Sequence, residues 1–281
     1  MRKRVNFIIL TISLFVLLIQ IQPVSAVPIT VKSFNTQNFN RANELRDRLL
    51  DPGNFGPSGI VQDIIFDFEN VSAITPENLA GADIFVAGFP YEGTTTISSS
   101  EAQLLRDYVT QGGSLIVTSD EHPSSRNSAN AIGAHFGTGF STGPLRGELN
   151  IIDRDAAPEI TNGPFGEINY LQWTSNGTSR ILPGGDSTLI DDIGMISVLT
   201  PTATSGSVVF FGDSDLFYDS ILGWPHYTGH WDALRLNVFA YSANSSRISN
   251  PIPEPATMTL FGLGLIGLAG IGRRKTSQIQ N

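Results

Sequence analysis

Two short polar runs hold the side chains best suited to chemistry. One is Asp120-Glu121-His122. The other is Gly212-Asp213-Ser214-Asp215, followed by Asp219, Trp224, His226 and His230. Carboxylates are hard oxygen donors that suit Ca²⁺ or Mg²⁺, and imidazoles suit Zn²⁺. Paired carboxylates can also hydrolyse a glycoside by acid–base chemistry. The run Trp224-Pro225-His226-Tyr227 falls in an expected loop, where aromatic rings can stack on a sugar; Trp173, Tyr218 and Trp231 are further aromatic candidates. The plain structural alternative is that Asp213 and Asp215 cap a turn and Asp120 opens a loop. As a metal set, Asp213, Asp215, Asp219 and His230 are incomplete, because the Asp-x-Asp spacing lacks the Gly and distal Glu of a calcium loop. Ser119 with His122 is a poor nucleophile–base pair, since residues so near in sequence rarely reach that geometry.

These runs need strands to place them. Ser114–Ser119 is almost wholly apolar before Asp120, and Ser207–Phe211 is the same before Asp213; both patterns predict buried strands. Asp83–Phe89 is a third such run, and Val27–Asn35 and Val61–Phe68 read as strands too. Helices are expected between them. Ala42, Leu45 and Leu49 share one face of Arg41–Leu50. Thr75-Pro76-Glu77 has the N-cap and first-position proline of a helix start. Ser98 to Glu101 is a capping box, with Leu104, Leu105, Tyr108 and Val109 behind it and Gly112-Gly113 at its end. Asn127–Phe136 and Thr228–Ala243 complete the helical set. Strand, helix and strand at this spacing make a βαβ crossover and a parallel sheet. Residues 140–205 differ: Gly, Pro, Ser and Thr abound, and short antiparallel strands are expected there. The fold class is therefore α/β, with a mostly parallel central sheet and short antiparallel strands in residues 140–205. In such sheets ligands lie beyond the carboxyl ends of the strands, where both acidic runs fall.

The ends of the 281-residue chain carry addresses rather than chemistry. Arg2, Lys3 and Arg4 precede an apolar run and the small-residue site Val24-Ser25-Ala26, so residues 1–26 read as a signal peptide cut by signal peptidase. At the other end Pro253-Glu254-Pro255 precedes an uncharged segment, 256–272, and Arg273-Arg274-Lys275. That segment is at the short limit of a membrane helix, with 276–281 as a cytoplasmic tail. Residues 27–243 form the domain and 244–252 a linker. The two ends hold six of the 17 basic residues but only Glu254 of the 26 acidic ones, leaving the middle near −14. Such a surface repels phosphate backbones and excludes nucleic acid as a partner. Zero cysteines exclude disulfides, thiolate metal sites and a Cys nucleophile.

The C-terminal arrangement closely resembles the PEP-CTERM sorting signal, carried here by residues 253–275. The resemblance implies a bacterial host and recognition by an exosortase, a membrane cysteine protease. It implies export across the inner membrane, transient anchorage, and residence in the cell envelope, at the surface or in an exopolysaccharide or biofilm matrix, with polysaccharide as a possible partner.

A second resemblance covers most of residues 28–243. Asp83 to Gly88, Ser100 to Ser119 with Tyr108-Val109-Thr110-Gln111-Gly112-Gly113, Gly206 to Asp215 and Arg235-Leu236-Asn237-Val238 resemble the class I glutamine amidotransferase-like superfamily, nearest to non-amidotransferase members related to trehalose-utilisation proteins. It implies a flavodoxin-like three-layer sandwich. The active members place a Cys at the turn occupied here by Ser119-Asp120-Glu121-His122, and His and Glu where this chain has Asp213 and Asp215. The triad is missing, so the expectation is a non-enzymatic domain without a cofactor, save for a divalent cation such as Ca²⁺ at the acidic turns. The alternative is a carbohydrate-active hydrolase or metal-dependent sugar-binding module.

Overall fold

A computed structural model describes residues 26–34, 43–88, 96–142, 147–151, 153–173, 178–214 and 227–249. Its strands and helices follow in chain order. The first half contains β1 (Val27–Phe34), α1 (Asn43–Leu50), β2 (Ile64–Val71), α2 (Pro76–Leu79), β3 (Ile84–Ala87), α3 (Ser99–Thr110), β4 (Ser114–Thr118) and α4 (Pro123–Gly133). The irregular part contains β5 (Gly139–Thr142), β6 (Gly147–Asn150), α5 (Pro158–Thr161), β7 (Asn162–Gly163), β8 (Gly166–Glu167), β9 (Tyr170–Trp173), β10 (Ser179–Leu182) and β11 (Thr188–Leu189). β12 (Ile196–Leu199), β13 (Val208–Phe211), β14 (Tyr227–Gly229) and α6 (Trp231–Ser249) close the domain.

Seven strands form the central sheet in the order β11-β12-β13-β4-β3-β1-β2. The five from β13 to β2 run parallel. β12 and β11 add antiparallel to β13. Small antiparallel sheets, β10-β5, β9-β6 and β7-β8, come from the irregular part as expected, and β14, from beyond it, adds to the free edge of β9.

Alternation along each strand divides the core in two. Ile84, Val86, Ile116, Val209 and Phe211 point into one cluster with Leu45 and Leu49 of α1 and Leu234, Val238 and Phe239 of α6. Phe85, Ala87, Leu115, Val117, Val208 and Phe210 point into the other with Leu105 and Val109 of α3 and Ala129 and Ile132 of α4. Helices thus pack against both sets of strand side chains, and β3 and β13 are wholly apolar because neither of their faces meets water.

Local chemistry fixes the helix ends. Ser98 and Glu101 make the capping box of α3 in both directions. Thr75 Oγ1 accepts the Asn78 amide at 3.2 Å to start α2. Gly112, at φ 102°, ends α3 in a conformation other residues avoid.

Four boundaries differ most from the sequence reading. α6 begins at Trp231 rather than Thr228, because Tyr227–Gly229 pair antiparallel with β9 as β14. β2 begins at Ile64 rather than Val61, because Gly56 and Val61 pair across the Asp51–Val61 turn. α4 begins at Pro123, four residues before Asn127; a first-position proline is helix-compatible, and the polar stretch that follows hides the helix. α6 continues to Ser249, so 244–249 is helix and not linker. The polar residues of this stretch satisfy themselves within the helix: Ser245 Oγ donates to Tyr241 O at 2.8 Å and Ser246 Oγ to Ala243 O at 2.9 Å. The expected signal peptide before Ala26, the sorting motif Pro253, Glu254 and Pro255, and the 256–272 helix lie outside the described residues. Among the described residues no helix is long and apolar enough to cross a membrane.

Candidate functional site

The two acidic runs meet. β4 and β13 are parallel neighbours, with Phe211 opposite Thr118, so Asp120 and Asp213 leave the sheet side by side at its carboxyl edge. Ser119 N donates to Phe211 O at 2.8 Å and continues the pairing one residue past the strand. The Asp120 carboxylate is engaged on both oxygens. Oδ1 accepts the Glu121 amide at 2.7 Å, and Oδ2 accepts the Ser214 hydroxyl at 2.6 Å.

A third segment enters from the irregular part. Ser179, the first residue of β10, donates its hydroxyl to Asp120 O at 2.5 Å and accepts that of Ser119 at 3.1 Å. Its amide donates to Gly212 O at 2.7 Å. Gly212 has no room for a side chain: a Cβ there would stand 2.1 Å from Ser179 O. Thr178, Ser179, Ser119, Asp213 and Ser214 are all buried, at 0 to 1 % exposure, and Asp120 is 7 % exposed. The carboxyl edge of β4 and β13 is therefore covered by β10. The polar groups beneath bond to one another, as buried polar groups must.

This arrangement bears on each candidate. Ser119 turns its hydroxyl to Ser179. Glu121 and His122 are exposed, on the chain leading into α4, and the His122 side chain makes no cap bond to that helix. His230 sits apart, before α6, where its Nδ1 accepts the Asn169 amide at 3.1 Å and its ring meets Tyr170 edge-on at 6.1 Å. Trp231 is core, at 4 % exposure. Asp215, Tyr218, Asp219, Trp224 and His226 lie outside the described residues. Among the described residues no group of three or more His, Asp or Glu stands close enough to hold a metal ion.

Two residues that organise this region escaped the sequence reading. Ser179 lies in a Gly- and Ser-rich stretch with no periodic pattern to single it out. Asp191 is buried and gathers the backbone of the turn before β12. Its Oδ1 accepts from Ile193, Gly194 and Met195 at 2.9, 2.7 and 3.0 Å, and its Oδ2 from Met195 and Ile196 at 2.9 and 2.6 Å. Burial nonetheless outweighs these bonds and raises its carboxyl above the usual value. The only sequence trace of this role was an Asp-Asp-x-Gly turn.

Residues 251–275 match the PEP-CTERM protein-sorting motif. No curated protein matches the chain. Among solved structures, the mmIFT52 N-terminal domain is similar at 14 % identity and TM-score 0.55, over 77 % of this chain and 97 % of that one. Cytoplasmic protein STM1381 from Salmonella typhimurium LT2 is similar at 16 % identity and TM-score 0.47, over 76 % and 98 %. A ThuA-like protein from Bacteroides uniformis is similar at 9 % identity and TM-score 0.45, over 78 % and 92 %. At these identities the likeness is one of fold alone, and the first of them supports the mixed α/β architecture.

Proposed function

We propose that this chain is an exported protein of the cell surface or extracellular matrix, sorted by an exosortase, whose α/β domain serves a non-catalytic binding or structural role. The match of residues 251–275 to the PEP-CTERM motif carries the reading. A signal peptide at 1–26 delivers the chain across the inner membrane. The apolar run 256–272 and the cations of Arg273-Arg274-Lys275 hold it there until the peptidase acts near Pro253-Glu254-Pro255. Its setting is an exopolysaccharide or biofilm matrix.

The domain is flavodoxin-like and a relative of the class I glutamine amidotransferase-like superfamily without its chemistry. Strand order supports this: numbered along the chain, the five parallel strands lie in the order 2-1-3-4-5 of flavodoxin-like folds. A non-catalytic role is supported by the turn after β4. Ser119 stands there without a thiol, is fully buried, and has its hydroxyl bonded to Ser179. Replacing Pro253-Glu254-Pro255 by alanines tests the sorting. The variant is expected to stay uncleaved in the membrane fraction, and unchanged processing would defeat the reading. Turnover on a glycan and ester panel that Asp213→Ala abolishes would defeat the non-catalytic half.

One observation favours a second reading, a metal-dependent sugar-binding module or carbohydrate-active hydrolase. Asp120 and Asp213 stand at neighbouring strand ends, as a two-carboxylate site needs. Ca²⁺ there would have to take Asp120 Oδ2 from Ser214. Calorimetry with Ca²⁺ decides it: heat lost in both Asp120→Asn and Asp213→Asn supports the module, and no heat in the parent chain removes it.

A further inference from the structure

The domain begins without a spacer. β1 starts at Val27, and the bond expected to be cut by signal peptidase is Ala26–Val27. The nitrogen of that bond is engaged, since Val27 N donates to Asp63 O at 2.9 Å. Asp63 is itself anchored: its Oδ2 meets Arg247 Nη1 of α6 at 2.6 Å. From Val27 onward β1 runs in register with β2, Val27 opposite Ile64 and Ile29 opposite Phe66. The Ile29 and Val31 side chains are buried, at 1 and 0 % exposure. Asp83 Oδ2 accepts the Thr30 amide at 2.8 Å, and from Val31 β1 pairs with β3 as well. The residues that follow the cut are thus part of an inner strand.

A protease takes its substrate as an extended chain whose amides and carbonyls are turned to the enzyme, in the manner of an added strand. Residues on both sides of the cut must be free to make those bonds, which is why nicking concentrates in exposed loops and termini. Val27 and Ile29 are paired to β2 instead. Drawing them out breaks the start of the ladder and brings Ile29 into water.

We propose that the folded domain shields its own maturation site, so that signal peptidase must cut before β1 enters the sheet; this rests on the reading of residues 1–26 as a signal peptide. In the cut, water adds across the Ala26–Val27 amide. Ala26 leaves with the new carboxylate, and Val27 keeps the nitrogen as an ammonium. That ammonium still has a proton to donate to Asp63 O, so β1 retains its first bond, now from a charged donor. A chain that folds before it is cut must reopen the start of β1, and its cleavage follows only the fraction of molecules so opened.

The test uses the full-length precursor in detergent with signal peptidase. One sample is refolded first; another is diluted from urea directly into the peptidase. A third is a refolded variant with a Gly/Ser spacer of about six residues, roughly 20 Å when extended, inserted between Ala26 and Val27. Sequencing of the new amino terminus identifies the cut. With β1 protected from hydrogen exchange in both refolded chains, cleavage after Ala26 is expected to be at least about tenfold slower in the refolded parent than in the freshly diluted one, and the spacer should restore the rate. Equal rates in the two states of the parent overturn the shielding and leave the signal peptide standing. A slow refolded parent that the spacer does not rescue puts the block elsewhere than in β1 and overturns the shielding too. No cut after Ala26 in any sample overturns the signal-peptide reading and the shielding with it.

Discussion

Ser214 Oγ donates to Asp120 Oδ2 at 2.6 Å across 94 residues of sequence, and this bond ties the turn after β13 to the turn after β4. Both residues are buried. Ser214→Ala removes a buried hydrogen bond to a carboxylate, which costs about 1–3 kcal/mol. The expected result is a lower urea midpoint with an unchanged slope. A Ser214→Ala chain as stable as its parent would mean that the two turns are not held together by this contact.

Asn237 makes a second long-range clamp. Its Nδ2 donates to Ile160 O and Gly166 O, both at 3.0 Å, and its Oδ1 accepts the Phe165 amide at 3.0 Å. One α6 side chain thus satisfies three backbone groups of α5 and the β7–β8 hairpin. Asn237→Leu fills similar space but meets none of them, and should cost roughly 3 kcal/mol. Hydrogen exchange should rise first at residues 160–167. Uniform exchange across the domain would argue that the clamp does not act locally.

The parallel strands and long helices were legible because their signals are local: unbroken apolar runs for β3, β4 and β13, and a capping box for α3. The site was legible only as two acidic strand ends. That they are neighbours follows from strand order, which no single stretch encodes. That β10 covers them depends on Ser179, a small residue in a stretch without periodicity. Composition misled at 244–249, where a polar stretch before proline reads as a linker, because back-bonding to the helix carbonyls lets Ser245 and Ser246 remain helical and buried.

The β10 cover can be tested through Gly212. A Cβ at this position would stand 2.1 Å from the Ser179 carbonyl oxygen and 3.3 Å from Met195 Sδ. The nearer atom is backbone, held by the Ile181–Gly194 and Ser179–Gly212 bonds, so it cannot swing aside as a side chain would. Gly212→Ala should therefore cost about 1–3 kcal/mol as overpacking and lift β10 from the strand ends. Limited proteolysis around 178–182 reads this directly. Unchanged proteolysis and stability would show that β10 does not seal this edge.

Asp83 gives the domain a dependence on pH. It is half-buried at the start of β3, and desolvation raises its carboxyl above the usual value although the Thr30 amide, at 2.8 Å from Oδ2, pulls it down. The folded chain therefore holds this proton more tightly than the unfolded chain. The stability that Asp83 contributes is full below its unfolded value near 4 and is lost as pH rises through the folded value. Buried Asp191 acts in the same direction. Asp83→Asn keeps an oxygen for the Thr30 amide and has no proton to lose. The variant should gain on its parent in urea midpoint at neutral pH and show little gain near pH 3, roughly one unit below the unfolded carboxyl value. An advantage that grows toward acid would mean that the Thr30 bond, rather than burial, governs this carboxyl.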